Sequence, residues 1–394
     1  MEEANAAIGQ RLRRLRRQVA MTQEELAERA GVSRDLIAKL EQGSRQSARL
    51  SSLTRIANAL DVSLSELTGS RPRLDGHRDG ASVLALRNAL LSPDLLPDID
   101  TEEQGEPASL PEVDAAASAA IQTYWSGDFV SLTARLPALI GEAHLAATMH
   151  GAAAVGPLAQ AYELAACLMV HMGKDDLAAV AAERAIATAH GGNDELRWAI
   201  LHATYAWVLL RQARLDEAER LVIKVADRIE PGFSDPAAHL AVWGTLLMSA
   251  LAPAASAGKN VGEYISLASA AAERIGGRLE IYHTAFGPAT VAMQATHAYA
   301  VAGEPTEALM SAHRIRPGDL RGISSGRHLL DVAQAHLAAR HHRAATQALD
   351  AALSLVPVWW RHQALARSLV HDLVQRERRM SPTLRRLAKN AGIS

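Results

Sequence analysis

The sequence predicts an all-α protein: a five-helix N-terminal domain followed by an array of stacked helical hairpins. Three observations carry that prediction. Ala supplies 78 of 394 residues, and Ala is the best helix former and lets helices pack closely. Residues 22–43 hold two short amphipathic segments, each with a start and a stop signal. Over residues 115–394 a small residue followed five positions later by Ala recurs, as expected of a repeated helical hairpin. Hydrophobic residues make up 48% and charged residues 21%, a balance that excludes a mostly disordered chain. A single cysteine, Cys167, excludes a disulfide framework and a cysteine-based zinc site. The net charge of −2 exerts no whole-chain pull toward nucleic acid or membrane.

The N-terminal elements follow in order. Leu12 and Leu15 give a first helix its inward face. Thr22 with Glu25 is a capping box that starts a second helix, in which Leu26, Ala27 and Ala30 are apolar or small at helical spacing. Gly31 stands where that helix should end at positive φ. Ser33 caps a third helix whose Ile37 and Leu40 face inward, and Gly43 ends it. Two short helices joined by a tight Gly-containing turn make a helix-turn-helix. Leu53, Ile56, Leu60, Leu64 and Leu67 complete a small core. From Arg11 to Arg55 there are eleven Lys or Arg against five Asp or Glu, a local basic excess suited to phosphate.

The segments LRRLRR, TQEELAERAGVS, IAKLEQG and LTRIANALDVSLSEL, spread over Ile8–Leu67, stand in the order seen in one family. They resemble the xenobiotic-response-element helix-turn-helix regulators, relatives of the phage repressors. Two positions depart: Ala20–Met21 replaces a Gly–Leu, and the loop SRQSARLSS lacks a proline. The resemblance implies a lambda-repressor-like five-helix fold over residues 6–68, with the helix starting at Ser33 in the major groove. Arg34, Asp35, Ala38 and Lys39 would then face the bases, where Arg pairs with guanine and Asp accepts from cytosine. Gln23, Arg45 and Arg49 would contact phosphate. Arg16 is expected to pair with Glu41 inside the domain. Arg13, Arg14 and Arg17 read equally well as a solvated face, and Asp35 favours the helix dipole whether or not it meets a base.

Residues 69–114 read as a linker. Its stretch 92–114 holds eight acids, four Pro and neither Lys nor Arg, and a short helix is expected at Ala81–Leu91. In residues 115–394 the recurrent pairs are Gly173–Ala178, Ala213–Ala218, Gly303–Ala308 and Ala339–Ala344, with weaker units near Leu132 and Ala268. A helical hairpin cannot bury its apolar face alone, so such hairpins stack into a solenoid. The array resembles degenerate tetratricopeptide repeats, with periods above 34 residues. The ending PVWWRHQALARSLVHDLVQRERRMSPTLRRLAKNAGIS resembles that of actinobacterial regulators of this architecture.

A dimeric, sequence-specific transcriptional regulator is therefore expected, reading a palindromic operator, since one module makes few base contacts. Its helical array would bind a peptide or small-molecule effector, with Trp198 and Tyr205, seven residues apart on one helix face, as candidate contacts or as core. The alternative is an interaction scaffold or antitoxin-like protein whose array holds a protein partner. No HExxH accompanies His328, His336, His341 and His342, and no Gly-rich phosphate loop carries a Lys, so neither metal, cofactor nor enzymatic activity is expected. Cys167 reads as a small core residue, and Trp359–Trp360 as a seal on the last helical pair. Pro236–Gly258 and Ile281–Gly303 are uncharged for a bilayer's width, but Pro, His and Gly interrupt both. Without a signal-peptide-like N-terminus a cytoplasmic location is expected, with no membrane partner.

Overall fold

In a computed structural model, the described residues are 8–19, 21–43, 48, 50–60, 62, 67, 79–92, 108–377 and 379–393. The N-terminal part consists of α1 (Ile8–Gln18), α2 (Gln23–Ala30), α3 (Arg34–Glu41) and α4 (Leu50–Ala59). Leu12, Leu15, Leu26, Ile37, Leu40 and Ile56 form its buried core, joined by Leu60 and Leu67. The expected fifth helix falls mostly outside the described residues, as do Leu64 and residues 93–107 of the acidic stretch. The capping box is present: Thr22 N–H donates to Glu25 Oε2 at 2.7 Å, and Glu25 N–H to Thr22 Oγ1 at 3.2 Å. Gly31 ends α2 at φ +59. Ser33 starts α3 by accepting from Leu36 N–H.

The short helix expected near residues 81–91 is α5 (Asp79–Leu90). It packs against the helical array, with Leu86 and Leu90 fully buried in that array's core.

The array runs through α6 (Leu110–Ser126), α7 (Phe129–His150), α8 (Val155–His171), α9 (Asp175–His190), α10 (Glu195–Arg211), α11 (Leu215–Arg228), α12 (Ala237–Ser256) and α13 (Gly262–Ile275). After a hairpin of β1 (Leu279–Ile281) and β2 (Thr284–Phe286) it continues through α14 (Pro288–Ala302), α15 (Pro305–Ala312), α16 (Ile323–Ala338) and α17 (His342–Leu355). The short α18 (Pro357–Arg361), α19 (Ala364–Arg376) and α20 (Pro382–Ala391) complete it. Neighbours in sequence pack in pairs, α8 on α9, α12 on α13, α16 on α17.

One turn geometry recurs between paired helices. Gly173, Ala213, Gly303 and Arg340 stand at φ between +63 and +80. The next N–H reaches back five residues in each case, Lys174 to Met169, Arg214 to Leu209, Glu304 to Tyr299 and His341 to His336, at 2.8–2.9 Å. This is the Schellman closure of a helix end. Five positions on lie Ala178, Ala218, Ala308 and Ala345, at 0–1% exposure, where the paired helices touch. The pattern read in the sequence is thus a turn residue and a contact residue. Its last unit is shifted by one from the expected Ala339–Ala344: Arg340 takes the left-handed conformation, which a small-residue search passes over.

The array closes on itself. Residues of α16–α20 share one core with α6–α9. Gly322, just before α16, lies so close to α6 that a Cβ there would come within 1.9 Å of the Trp125 carbonyl oxygen. Trp359 and Trp360 are each 1% exposed. A Cβ on Gly127, at the end of α6, would lie 3.2 Å from Trp359, so the tryptophan pair sits at this closure rather than at a chain end.

Two helical stretches, Phe129–His171 and Ala237–Ser256, are long and apolar enough to cross a membrane; 83% and 67% of their apolar windows are buried within the fold. Ile281–Gly303, continuous by composition, is instead broken into part of β1, β2 and α14.

Candidate nucleic-acid interface

The N-terminal domain is locked by a small polar network. Arg16, late in α1, donates from Nε to Glu41 Oε1 at 2.7 Å and from Nη2 to Oε2 at 2.9 Å. Its third donor, Nη1, goes to the Met21 carbonyl at 2.6 Å. Gln23 Nε2 adds a bond to Glu41 Oε2 at 2.8 Å. Glu41 is the last residue of α3, so these bonds tie α1, the turn before α2, and α2 itself to the end of α3. Burial pushes the Glu41 carboxyl up, but the Arg16 and Gln23 hydrogen bonds and the Arg16 charge outweigh it and hold it below the usual range. Arg55 on α4 donates to the Gly31 carbonyl at 3.0 Å, bracing the turn between α2 and α3.

The outer end of α3 is open. Ser33, Arg34, Asp35 and Lys39 are exposed and Ala38 is half-buried. Lys39 Nζ lies 2.7 Å from Asp35 Oδ2, and Arg34 Nε lies 3.5 Å from Glu24 Oε2 on α2. All four side chains in these pairs are more than half exposed, and such pairs contribute at most about 1 kcal/mol. They can be exchanged for stronger partners. Arg13, Arg14 and Arg17 are exposed on α1, whereas Arg16 is turned inward. Gln23 is already bonded to Glu41, so any phosphate contact from its side chain has to share or replace that bond. Arg45 and Arg49 lie outside the described residues. The sequence counts Arg55 only within the basic excess, and nothing local marks its bond to Gly31 or that of Arg16 to the Met21 carbonyl.

The array holds two more constellations. Trp198 and Tyr205 share a face of α10 with His202 and line an open cleft of about 340 Å³ whose other walls come from α9 and α11. Arg228 lies over the Trp198 ring at 4.4 Å and Tyr205 donates to Glu183 at 2.7 Å. The second constellation centres on Glu163 of α8, which is 1% exposed. Its carboxylate accepts from Gln160 Nε2 at 3.1 Å and Thr204 Oγ1 at 2.9 Å, and His283 Nδ1 lies 2.9 Å away. Cys167, expected to be plain core, is buried but borders this group, within reach of His283 and Tyr124. Tyr124 Oη and His171 Nε2 are 3.2 Å apart beside it. Glu163 had a legible signal: it is the single Asp, Glu, Lys or Arg from Ala143 to Gly173, and a lone acid in so apolar a run demands partners.

Residues 12–67 match a family model described as helix-turn-helix. The immunity repressor protein of Bacillus phage phi105 is 37% identical over 62 residues, 16% of this chain and 42% of that protein. The chain thus spans about two fifths of the length of the curated relative it matches. Among solved structures it is similar to BtubC (BKLC) from P. vanneervenii, at 16% identity over 63% of this chain and 91% of that one, with a TM-score of 0.37. It is also similar to PlcR of Bacillus thuringiensis, solved in complex with the peptide PapR7 and DNA, at 12% identity over 68% and 95%, with a TM-score of 0.29. The N-terminal segment is a helix-turn-helix domain with a phage repressor among its relatives.

Proposed function

We propose that this chain is a sequence-specific, DNA-binding transcriptional regulator that acts in the cytoplasm as a homodimer on a palindromic operator. The observation that carries the reading is the contrast within α3. Its Glu41 end is locked to α1 and α2, while its Ser33 end presents Arg34, Asp35 and Lys39 to solvent in pairs that are easily exchanged. A rigid helix with a free, charged N-terminal end suits insertion into the major groove. Arg34 takes guanine, Asp35 or Lys39 a neighbouring base, and Ala38 a thymine methyl. Gln23, Arg45 and Arg49 track phosphate. Two copies supply the contacts that one module lacks. The helical array binds a peptide or small-molecule effector that modulates DNA binding, and the buried polar group around Glu163 supports a ligand-reading role. The chain is a regulator in this reading, not an enzyme.

The test is fluorescence-anisotropy binding of the full chain to labelled DNA from its own upstream region, at two salt concentrations, against random competitor. Saturable binding that survives competitor, and that Arg34→Ala weakens, upholds the reading. Binding abolished by competitor and falling steeply with salt would overturn it.

A further inference from the structure

The hairpin Leu279–Phe286 is based on the flanking helices α12 and α14, and its tip reaches into earlier helical pairs. Its ladder has three residue pairs, Leu279 with Phe286, Glu280 with Ala285 and Ile281 with Thr284. So short a two-stranded hairpin is not stable alone in water. Its turn also holds Tyr282 at φ +52, a backbone conformation that L side chains resist. What orders it lies elsewhere. At the base, Phe286 is fully buried against Gly244 of α12, where a Cβ would meet the ring at 2.2 Å.

At the tip, three helices from three earlier pairs converge. Trp125 of α6 donates from Nε1 to the His283 carbonyl at 2.7 Å. Glu163 of α8 faces the His283 imidazole at 2.9 Å. Asp194, the N-cap of α10, accepts from the Tyr282 hydroxyl at 2.7 Å, and Arg197 lies over the Tyr282 ring at 4.6 Å. Gln160 and Thr204 hold the Glu163 carboxylate from its own side. The helices therefore build the anion, and the hairpin supplies the cation. A buried carboxylate is tolerated only with such a partner.

Each group on the helices has a peptide-reading role. Trp125 takes a backbone carbonyl, Glu163 a cationic side chain, and Asp194 with Arg197 a phenol. We propose that this cleft among α6, α8 and α10 is a peptide-binding site that the chain's own Tyr282–His283 occupies, and that its ligand is a peptide presenting an aromatic residue followed by a cationic one. The incoming peptide displaces the hairpin tip while Phe286 stays anchored. The incoming peptide is free of the strained turn at Tyr282, which offsets part of the advantage that tethering gives the hairpin. The inference rests on the effector reading above and moves the ligand from the Trp198–Tyr205 cleft to Glu163. Burial pulls the His283 pKa down, but the Glu163 carboxylate 2.9 Å away, with Cys167 beside it, carries it up to about 10, so the occupant is an imidazolium at neutral pH.

The probe is a labelled octapeptide copying residues 279–286, with an analogue carrying arginine at the histidine position and a control carrying alanine there. Binding is measured on the full chain, on a Tyr282→Ala/His283→Ala variant, and on that variant with Glu163→Gln added. The opened variant is expected to bind the probe at least tenfold more tightly than the parent chain. Glu163→Gln should remove the gain, and the alanine control should not bind. Circular-dichroism melting checks that each variant is folded. On the parent chain, saturating arginine analogue should speed hydrogen exchange at the amides of residues 281–285, a readout that needs no substitution. Equal binding by the opened and parent chains, a gain that survives Glu163→Gln, or unchanged exchange in the parent chain under bound peptide would overturn the site. DNA affinity is read in the same samples. Glu163-dependent binding that leaves it unchanged upholds the site and overturns its role as effector. Loss of the site with operator binding intact overturns this inference and leaves the DNA-binding reading standing.

Discussion

Arg16 and Glu41 meet in a two-point ion pair, Nε to Oε1 at 2.7 Å and Nη2 to Oε2 at 2.9 Å, that joins the first helix to the end of the third. Their side chains are 11% and 3% exposed, so the pair is shielded from water and from salt. Removing one partner of such a pair leaves a buried charge uncompensated. We expect Glu41→Gln to destabilise the N-terminal domain by about 3 kcal/mol. Urea unfolding of the isolated 1–70 segment and the full chain measures this; a loss within 0.5 kcal/mol of zero would assign the rigidity of α3 to apolar packing alone.

The same carboxylate sets an acid limit. Glu41 has its folded-state pKa lowered. Its contribution is complete above the ordinary Glu value near 4.5 and is lost as pH falls through the lower folded value. Chemical-shift titration of the Glu41 carboxyl should therefore show a midpoint below 4.5. Helix-turn-helix melting should fall with it, and the acid-induced loss should be absent in Glu41→Gln.

Arg34 stands on the open end of α3, 3.5 Å from an exposed Glu24. Arg34→Ala should weaken operator binding by roughly 1–3 kcal/mol and relax preference at one base pair, as loss of a bidentate guanine contact does. Gln23→Ala should weaken all DNA alike. Because Gln23 also bonds Glu41, it should lower domain stability as well, by about 1 kcal/mol. Competition binding at fixed salt separates the two substitutions. Equal effects on specific and random DNA from Arg34→Ala would place another residue at the base edge.

Arg340 occupies the left-handed turn position that Gly173 and Gly303 fill in equivalent pairs, at φ +63. It is exposed, so little packing is at stake. A left-handed L residue costs roughly 1–2 kcal/mol. Arg340→Gly should stabilise the array by about 1 kcal/mol, and Gly303→Ala should cost a similar amount. Thermal unfolding of both variants reads the pair of opposite shifts.

His283 titrates in the opposite sense to Glu41. Its pKa rises from 6.5 to about 10 in the folded chain. The stabilisation is complete below pH 6.5, declines above it, and is gone once pH passes about 10. Hydrogen exchange of residues 279–286, corrected for the intrinsic pH dependence, should show protection at pH 7 that is lost by pH 10.5. Protection that persists at pH 10.5 would mean that Phe286 and the Trp125 bond hold the hairpin without the charge.

Much of this protein was legible from local pattern. The capping pair Thr22 and Glu25, the stop at Gly31 and the cap at Ser33 act over a few residues, so they define α2 and α3 without reference to the rest of the chain. The five-residue offset of the helical turns is local too, which is why it could be read at Gly173, Ala213 and Gly303. It failed by one at Arg340, where a strained residue replaced the small one. The Arg16–Glu41 pair came from family resemblance, not from spacing, because nothing in the two segments themselves says that they meet.

Three features belonged to the tertiary structure alone. The closure that brings Gly322 against Trp125 depends on the summed rotation of all intervening helical pairs, which no single repeat encodes. The hairpin carries three-residue strands, too short for a periodic signal, and is ordered by contacts from helices far away in sequence. The partnership of Glu163 with His283 follows from both. A lone acid in an apolar helix announces that a partner must exist, but only the path of the chain decides which residue supplies the charge.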